Sequence, residues 1–148
     1  MLFAPTATAA SSLVTQPVMV LATILVAAGG LAGLALRSMP ARGRLVTMLL
    51  AGVVLLAAGY SGGLGSPVAL AVQQFLDAGG APLRNVHKLE PVIRIPIVLG
   101  VAHLLGRAFG ALVREQGGEA VAVGRDGRLS SPALAEALIS GLSAAGVQ

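Results

Sequence analysis

Cysteine is absent from the 148 residues, tryptophan is absent too, and aromatic residues make up only 3%. The missing cysteine removes disulfide frameworks, thiolate metal sites and thiol nucleophiles together. So few aromatic rings leave no base-stacking platform. Ten Lys and Arg against six Asp and Glu, a net charge of +4, are too few for a nucleic-acid face. Charge is scarce altogether, at 11% against roughly 25% in soluble globules. What fills the chain instead is 55% hydrophobic residues and 20 glycines, with a mean hydropathy of +0.86. That balance is the reverse of disorder. The length fits one ordinary domain or two small pieces, and the composition points to a membrane chain through its first two thirds.

No Lys, Arg, Asp or Glu occurs from Met1 to Leu36. After an N-terminal segment, residues 1–16, the stretch 17–36 reads PVMVLATILVAAGGLAGLAL. Twenty such residues reach about 30 Å, the thickness of a hydrocarbon core. A cleaved signal peptide is the competing reading. It wants basic residues before a shorter apolar core, whereas Arg37, Arg42 and Arg44 follow this one. A second uncharged run, 45–64, is again long enough to cross. The acid-free loop 37–44 belongs in the cytoplasm by the positive-inside rule, which sends 65–94 to the outer face. Gly29, Gly30 and Gly33, with Ala27, Ala28 and Ala32, make a small-residue face suited to close helix packing. A coding bias toward glycine and alanine explains that face equally well.

Ser66 and Pro67 look like a helix start, followed by apolar Val68, Leu70, Ala71, Val72, Phe75 and Leu76. Gly79, Gly80 and Pro82 stop it, giving a short amphipathic helix along the interface. Residues 95–113 form a third, weaker span, because His103 and Arg107 interrupt it. An arginine near a helix centre costs roughly 2.5–3.5 kcal/mol on insertion scales. If this span crosses, residues 114–148 are cytoplasmic. In that tail EAVAVG, Glu119 to Gly124, reads as a short buried parallel strand. Ser131 and Pro132 read as an N-cap and first-turn pair, with Leu134, Ala137, Leu138 and Leu142 at helical spacing up to Gly146. Strand, turn and helix are half of a βαβ unit, and the next strand would begin where the sequence ends at Gln148. Such a pair buries little apolar area, so 117–148 is expected to be only partly ordered. The expected fold is mainly α: two to three transmembrane helices and a short interfacial helix, then a partial α/β tail.

The densest polar cluster beside a span is Arg84, Asn85, His87 and Lys88. Arg84 and Lys88, four apart, suit a phosphate, with Asn85 and His87 donating hydrogen bonds. A basic loop resting on lipid headgroups is the alternative. Other motifs fail. GGLG at Gly62 to Gly65 lacks the Lys-Ser/Thr pair of a phosphate loop. His87 and His103 lie on different elements without a third ligand, so no metal site is expected.

The stretch PLRNVHK, Pro82 to Lys88, is followed by Glu90, Pro91, Arg94 and Pro96. With its surroundings over residues 23–106 it resembles the membrane α-(1→3)-arabinofuranosyltransferases of GT-C type. That resemblance implies a decaprenyl-phosphate arabinose donor, a cell-wall glycan acceptor and catalysis at the outer face. It raises Arg84, Asn85, His87 and Lys88 as substrate-phosphate residues. Leu89-Glu90 stands where the family pattern has Phe-Asp. The early acidic catalytic loop and most of the family's spans have no counterpart, so the catalytic residues stay unknown.

GRDGRLSSP, Gly124 to Pro132, sits within a stretch over residues 106–148 that resembles the first domain of the α-D-phosphohexomutases. There Arg125, Asp126 and Arg128 would fix the loop near the catalytic cleft. Ser130 and Ser131 are not that family's nucleophile, which sits in a later T-A-S-H-N-P loop. The resemblance implies magnesium only for a complete mutase and no cofactor for this stretch. Two families meeting near Leu105 to Arg107 point to a chimera or fragment of both. The expected function is therefore a glycosyltransferase fragment, inactive alone. A membrane-tethered phosphomannomutase/phosphoglucomutase fragment and a small non-enzymatic membrane protein packing through its glycines are the alternatives. Expected partners are membrane lipid and a polyprenyl-phosphate sugar, not nucleic acid.

Overall fold

The computed structural model describes residues 16–58, 67–80 and 90–148. They form five helices: α1 Pro17–Ala35, α2 Arg42–Ala58, α3 Ala69–Ala78, α4 Glu90–Glu115 and α5 Ser131–Ala144. Among the described residues there is no strand. Helix α1, 19 residues, extends about 28 Å, matching the first expected span. Helix α4, 26 residues, reaches about 39 Å and begins and ends beyond the expected 95–113. Both are long and apolar enough to cross a membrane. The second expected span coincides with α2 as far as Ala58, while 59–64 lie outside the described residues. Helix α2 also starts earlier than expected, at Arg42.

Helix α4 is the axis of the bundle, packing on α5, α1 and α2. Missing side chains set its contacts. A Cβ on Gly33 would strike the Gly100 carbonyl, and one on Gly100 the Gly30 carbonyl. On the other face a Cβ on Gly106 would strike the Leu138 carbonyl, and one on Gly141 the His103 carbonyl. Small residues let helix backbones approach where Leu or Ile would hold them apart. The small-residue face expected on α1 is thus a real seam through Gly30 and Gly33.

These contacts fix direction. Gly30 lies against Ile97, Gly33 against Gly100 and Ser38 against His103, so α1 and α4 run parallel. Helix α2 runs back, with Gly52 beside Val92 and Ile93. Leu34, Met39 and Ala137 form the buried centre, with Leu45, Leu49, Leu99 and Ala102 packed against it. Outward, Val18, Leu21, Ile24 and Leu25 of α1 and Leu50 and Val54 of α2 are exposed. An apolar exterior around a seam of small residues is the pattern of helices in lipid. Arg107 is exposed one turn beyond His103, past the level at which α1 ends.

The tail departs from expectation in three ways. Glu119 to Gly124 is not a strand. Its backbone meets only Gln148, by Val121 N–H to the Gln148 carbonyl (2.9 Å) and Gln148 N–H to the Glu119 carbonyl (3.0 Å). That is the alternation of a parallel pair, but one residue is not a ladder. Secondly, Ser131 is the first helical residue and Ser130 the cap, without a side-chain capping bond. Thirdly, the tail does not stand alone: α5 docks along α4 from the level of Val98 and Leu99 to that of Gly110, running parallel to it. By itself the tail buries little, whereas Gly106, Gly110 and Gly141 let α4 supply the missing surface. Helix α3 forms within the expected amphipathic stretch and ends at Gly79. Ser66 lies outside the described residues.

Candidate functional site

Arg84, Asn85, His87 and Lys88 lie in 81–89, outside the described residues. The element that follows them is described. Helix α4 opens with Glu90, whose carboxylate pairs with Arg94 one turn on, at 2.8 Å. At this spacing the pair supports the first turn of the helix.

Arg125, Asp126 and Arg128 form a closed turn. The Arg128 guanidinium meets the Asp126 carboxylate at 3.2 Å. The same carboxylate accepts the Arg128 N–H at 3.2 Å, and the Asp126 N–H donates to Ser131 Oγ at 3.2 Å. Ser131 therefore braces the loop instead of capping the helix. These bonds satisfy the turn from within. Arg125 faces a cleft of about 640 Å³ shared with Pro40, Val123, Glu136 and Ser140. Magnesium, expected only of a complete mutase, is not suited by these residues. Asp126 is already engaged by Arg128, and no group of three His, Asp or Glu able to hold a metal occurs among the described residues.

A third polar site was missed in the sequence. His103 is fully buried. Its Nδ1 lies 3.2 Å from the Ala137 carbonyl and its Nε2 2.9 Å from Ser38 Oγ. A carbonyl only accepts, so Nδ1 carries the proton, and in the neutral ring Nε2 accepts from the Ser38 hydroxyl. Ser140 Oγ donates to the Ser38 carbonyl at 2.9 Å. Four groups from the α1–α2 turn, α4 and α5 thus satisfy one another around the buried ring, which ties the tail to the α1–α2 hairpin. The only sign in the sequence was a histidine in an otherwise apolar run, with partners 65 residues before it and 34 after.

Two helices long and apolar enough to cross a membrane, α1 and α4, meet through a glycine seam, the packing expected of a membrane protein. Its family follows from comparison: the profile of the α-(1→3)-arabinofuranosyltransferase N-terminal GT-C domain matches residues 2–146, and the chain belongs to that family. The match runs further into the tail than the motif resemblance at 23–106. The α-(1→3)-arabinofuranosyltransferase of Mycolicibacterium smegmatis is 74% identical over 104 residues, covering 70% of this chain and 7% of that protein. Its Mycobacterium tuberculosis counterpart is 68% identical over 104 residues, with the same coverage. The chain therefore spans 7% of the length of these relatives. The C-terminal part is also similar to a phosphomannomutase/phosphoglucomutase of Pseudomonas putida, 58% identical over 45 residues, 30% of this chain and 10% of that enzyme. No solved structure matches.

Proposed function

We propose that the chain is a membrane segment of a glycosyltransferase that transfers arabinofuranose from a polyprenyl-phosphate donor to a cell-wall glycan, and that it is inactive alone. The carrying observation is the 74% identity over 104 residues to an α-(1→3)-arabinofuranosyltransferase. In this reading loop 37–44 is cytoplasmic, 65–94 lies at the outer face and α4 returns the chain inward. The parallel course of α1 and α4, with α2 antiparallel between them, supports that topology. Arg84 and Lys88 bind the donor phosphate, and Asn85 and His87 orient it. No carboxylate is assigned as catalyst, which is the reason inactivity is expected. Binding of a polyprenyl-phosphate analogue to the reconstituted chain tests the site. Arg84→Ala with Lys88→Ala should weaken it at least tenfold, whereas equal binding by both forms removes the role.

A second reading has its own observation. Similarity to a phosphomannomutase/phosphoglucomutase coincides with an extended segment, a parallel helix and a one-residue parallel backbone pairing at Gln148. The tail is then the opening of a tethered phosphohexomutase. Magnesium-dependent interconversion of hexose 1- and 6-phosphates by a longer product carrying this tail is its test.

A further inference from the structure

Helix α2 begins with unfavourable charge. Its first turn carries Arg42 and Arg44 and no acid, although the amino end of a helix is the positive end of its dipole. Arg37 joins them, and all three are exposed. No acidic residue precedes Asp77 in the sequence. Among the described residues the ion pairs are Glu90–Arg94 and Asp126–Arg128, neither of which involves these arginines. Arg42 is partly compensated, because its Nε donates to the Leu34 carbonyl at 3.0 Å, at the negative end of α1. For Arg37 and Arg44 no counter-charge is found among the described residues.

The loop presenting them is tightly held. The Ser38 hydroxyl is bonded to His103 and its carbonyl to Ser140, and Met39 is buried. Ala41 has a φ of 51°, a left-handed conformation that residues with a Cβ rarely adopt. With the backbone braced, only the arginine side chains remain to be ordered when they meet an anion.

We infer that Arg37, Arg42 and Arg44 form a basic surface that gathers the phosphates of anionic phospholipid headgroups at the membrane surface. The ligand is a lipid because both helices leaving the loop expose apolar residues, Leu31 on α1 and Leu50, Val53 and Val54 on α2. Acyl chains lying along those faces bring their headgroups to the arginines. The inference rests on α1 and α2 being embedded in the bilayer.

The full chain, reconstituted in nanodiscs of phosphatidylcholine and phosphatidylglycerol, provides the test, with retained lipid read by native mass spectrometry after detergent extraction. Phosphatidylglycerol should be retained preferentially, and excess inorganic phosphate should not displace it. Arg37→Gln with Arg44→Gln, which keeps the Arg42 bond to α1, should reduce the preference roughly 30-fold, as follows from about 1 kcal/mol for each arginine at an anionic surface. Equal retention of the two lipids, or an unchanged preference in the variant, overturns the site. Displacement by inorganic phosphate overturns its assignment to a lipid. Alkaline carbonate separates the two levels: release of the chain from membranes refutes embedding itself, whereas resistance without lipid preference refutes only the headgroup site.

Discussion

Replacing Gly33 with alanine should loosen the bundle, although the same change elsewhere in a helix tightens it. In a helix interior Gly→Ala gains about 0.5–1 kcal/mol from the entropy of the unfolded chain. At Gly33 the new methyl group would fall on the carbonyl of Gly100. That contact is backbone, which cannot rotate aside, and the seam stays tight one turn away: a Cβ on Gly30 would lie 2.6 Å from the Ile97 carbonyl. Helices α1 and α4 must therefore separate along the seam, at the roughly 1–3 kcal/mol typical of overpacking. A net loss of up to about 2.5 kcal/mol remains after the propensity gain. Gly43 is the control, because a Cβ there meets nothing within 4 Å. Thermal unfolding of the detergent-solubilised chain, followed by helical circular dichroism, reads both. At about 2–4 °C per kcal/mol, Gly33→Ala should lower Tm by up to about 10 °C. Gly43→Ala should raise it by up to about 4 °C. A rise in Tm for Gly33→Ala would refute the close seam.

The remaining predictions concern hydroxyl groups. Ser38→Ala leaves the His103 Nε2 buried without its partner and should cost about 1–3 kcal/mol, seen as faster amide exchange in α5. Thr23→Ala removes only an exposed bond to the Met19 carbonyl, 2.8 Å long, and should change stability by less than about 0.5 kcal/mol.

Local pattern revealed most of the helices, because uncharged runs of 20 residues and a Ser-Pro start are signals carried by neighbours in sequence. The α1 seam was visible as Gly30 and Gly33, but not its partner, since Gly100 lies in a separate apolar run. Gly106, Gly110 and Gly141 passed unnoticed for the same reason. Their meaning appears only once α4 and α5 lie side by side. The missing strand at Glu119 to Gly124 shows the converse: alternation describes a segment that could pair, while pairing needs a second segment. His103 was weighed as a metal ligand and a cost to insertion, because neither Ser38 nor Ala137 is near it in sequence. The phosphate-site residues Arg84, Asn85, His87 and Lys88 rest on spacing and family resemblance, outside the described structure.

Embedding and orientation in the membrane are tested most directly by labelling single cysteines, which the absence of native cysteine makes clean. Ala41→Cys and Val68→Cys place one thiol in the α1–α2 turn and one before α3, both exposed positions. In intact cells an impermeant maleimide should label position 68 and leave position 41 untouched until the membrane is opened. Labelling of position 41 in intact cells, or of both positions in a soluble fraction, would contradict a membrane segment with a cytoplasmic 37–44 loop.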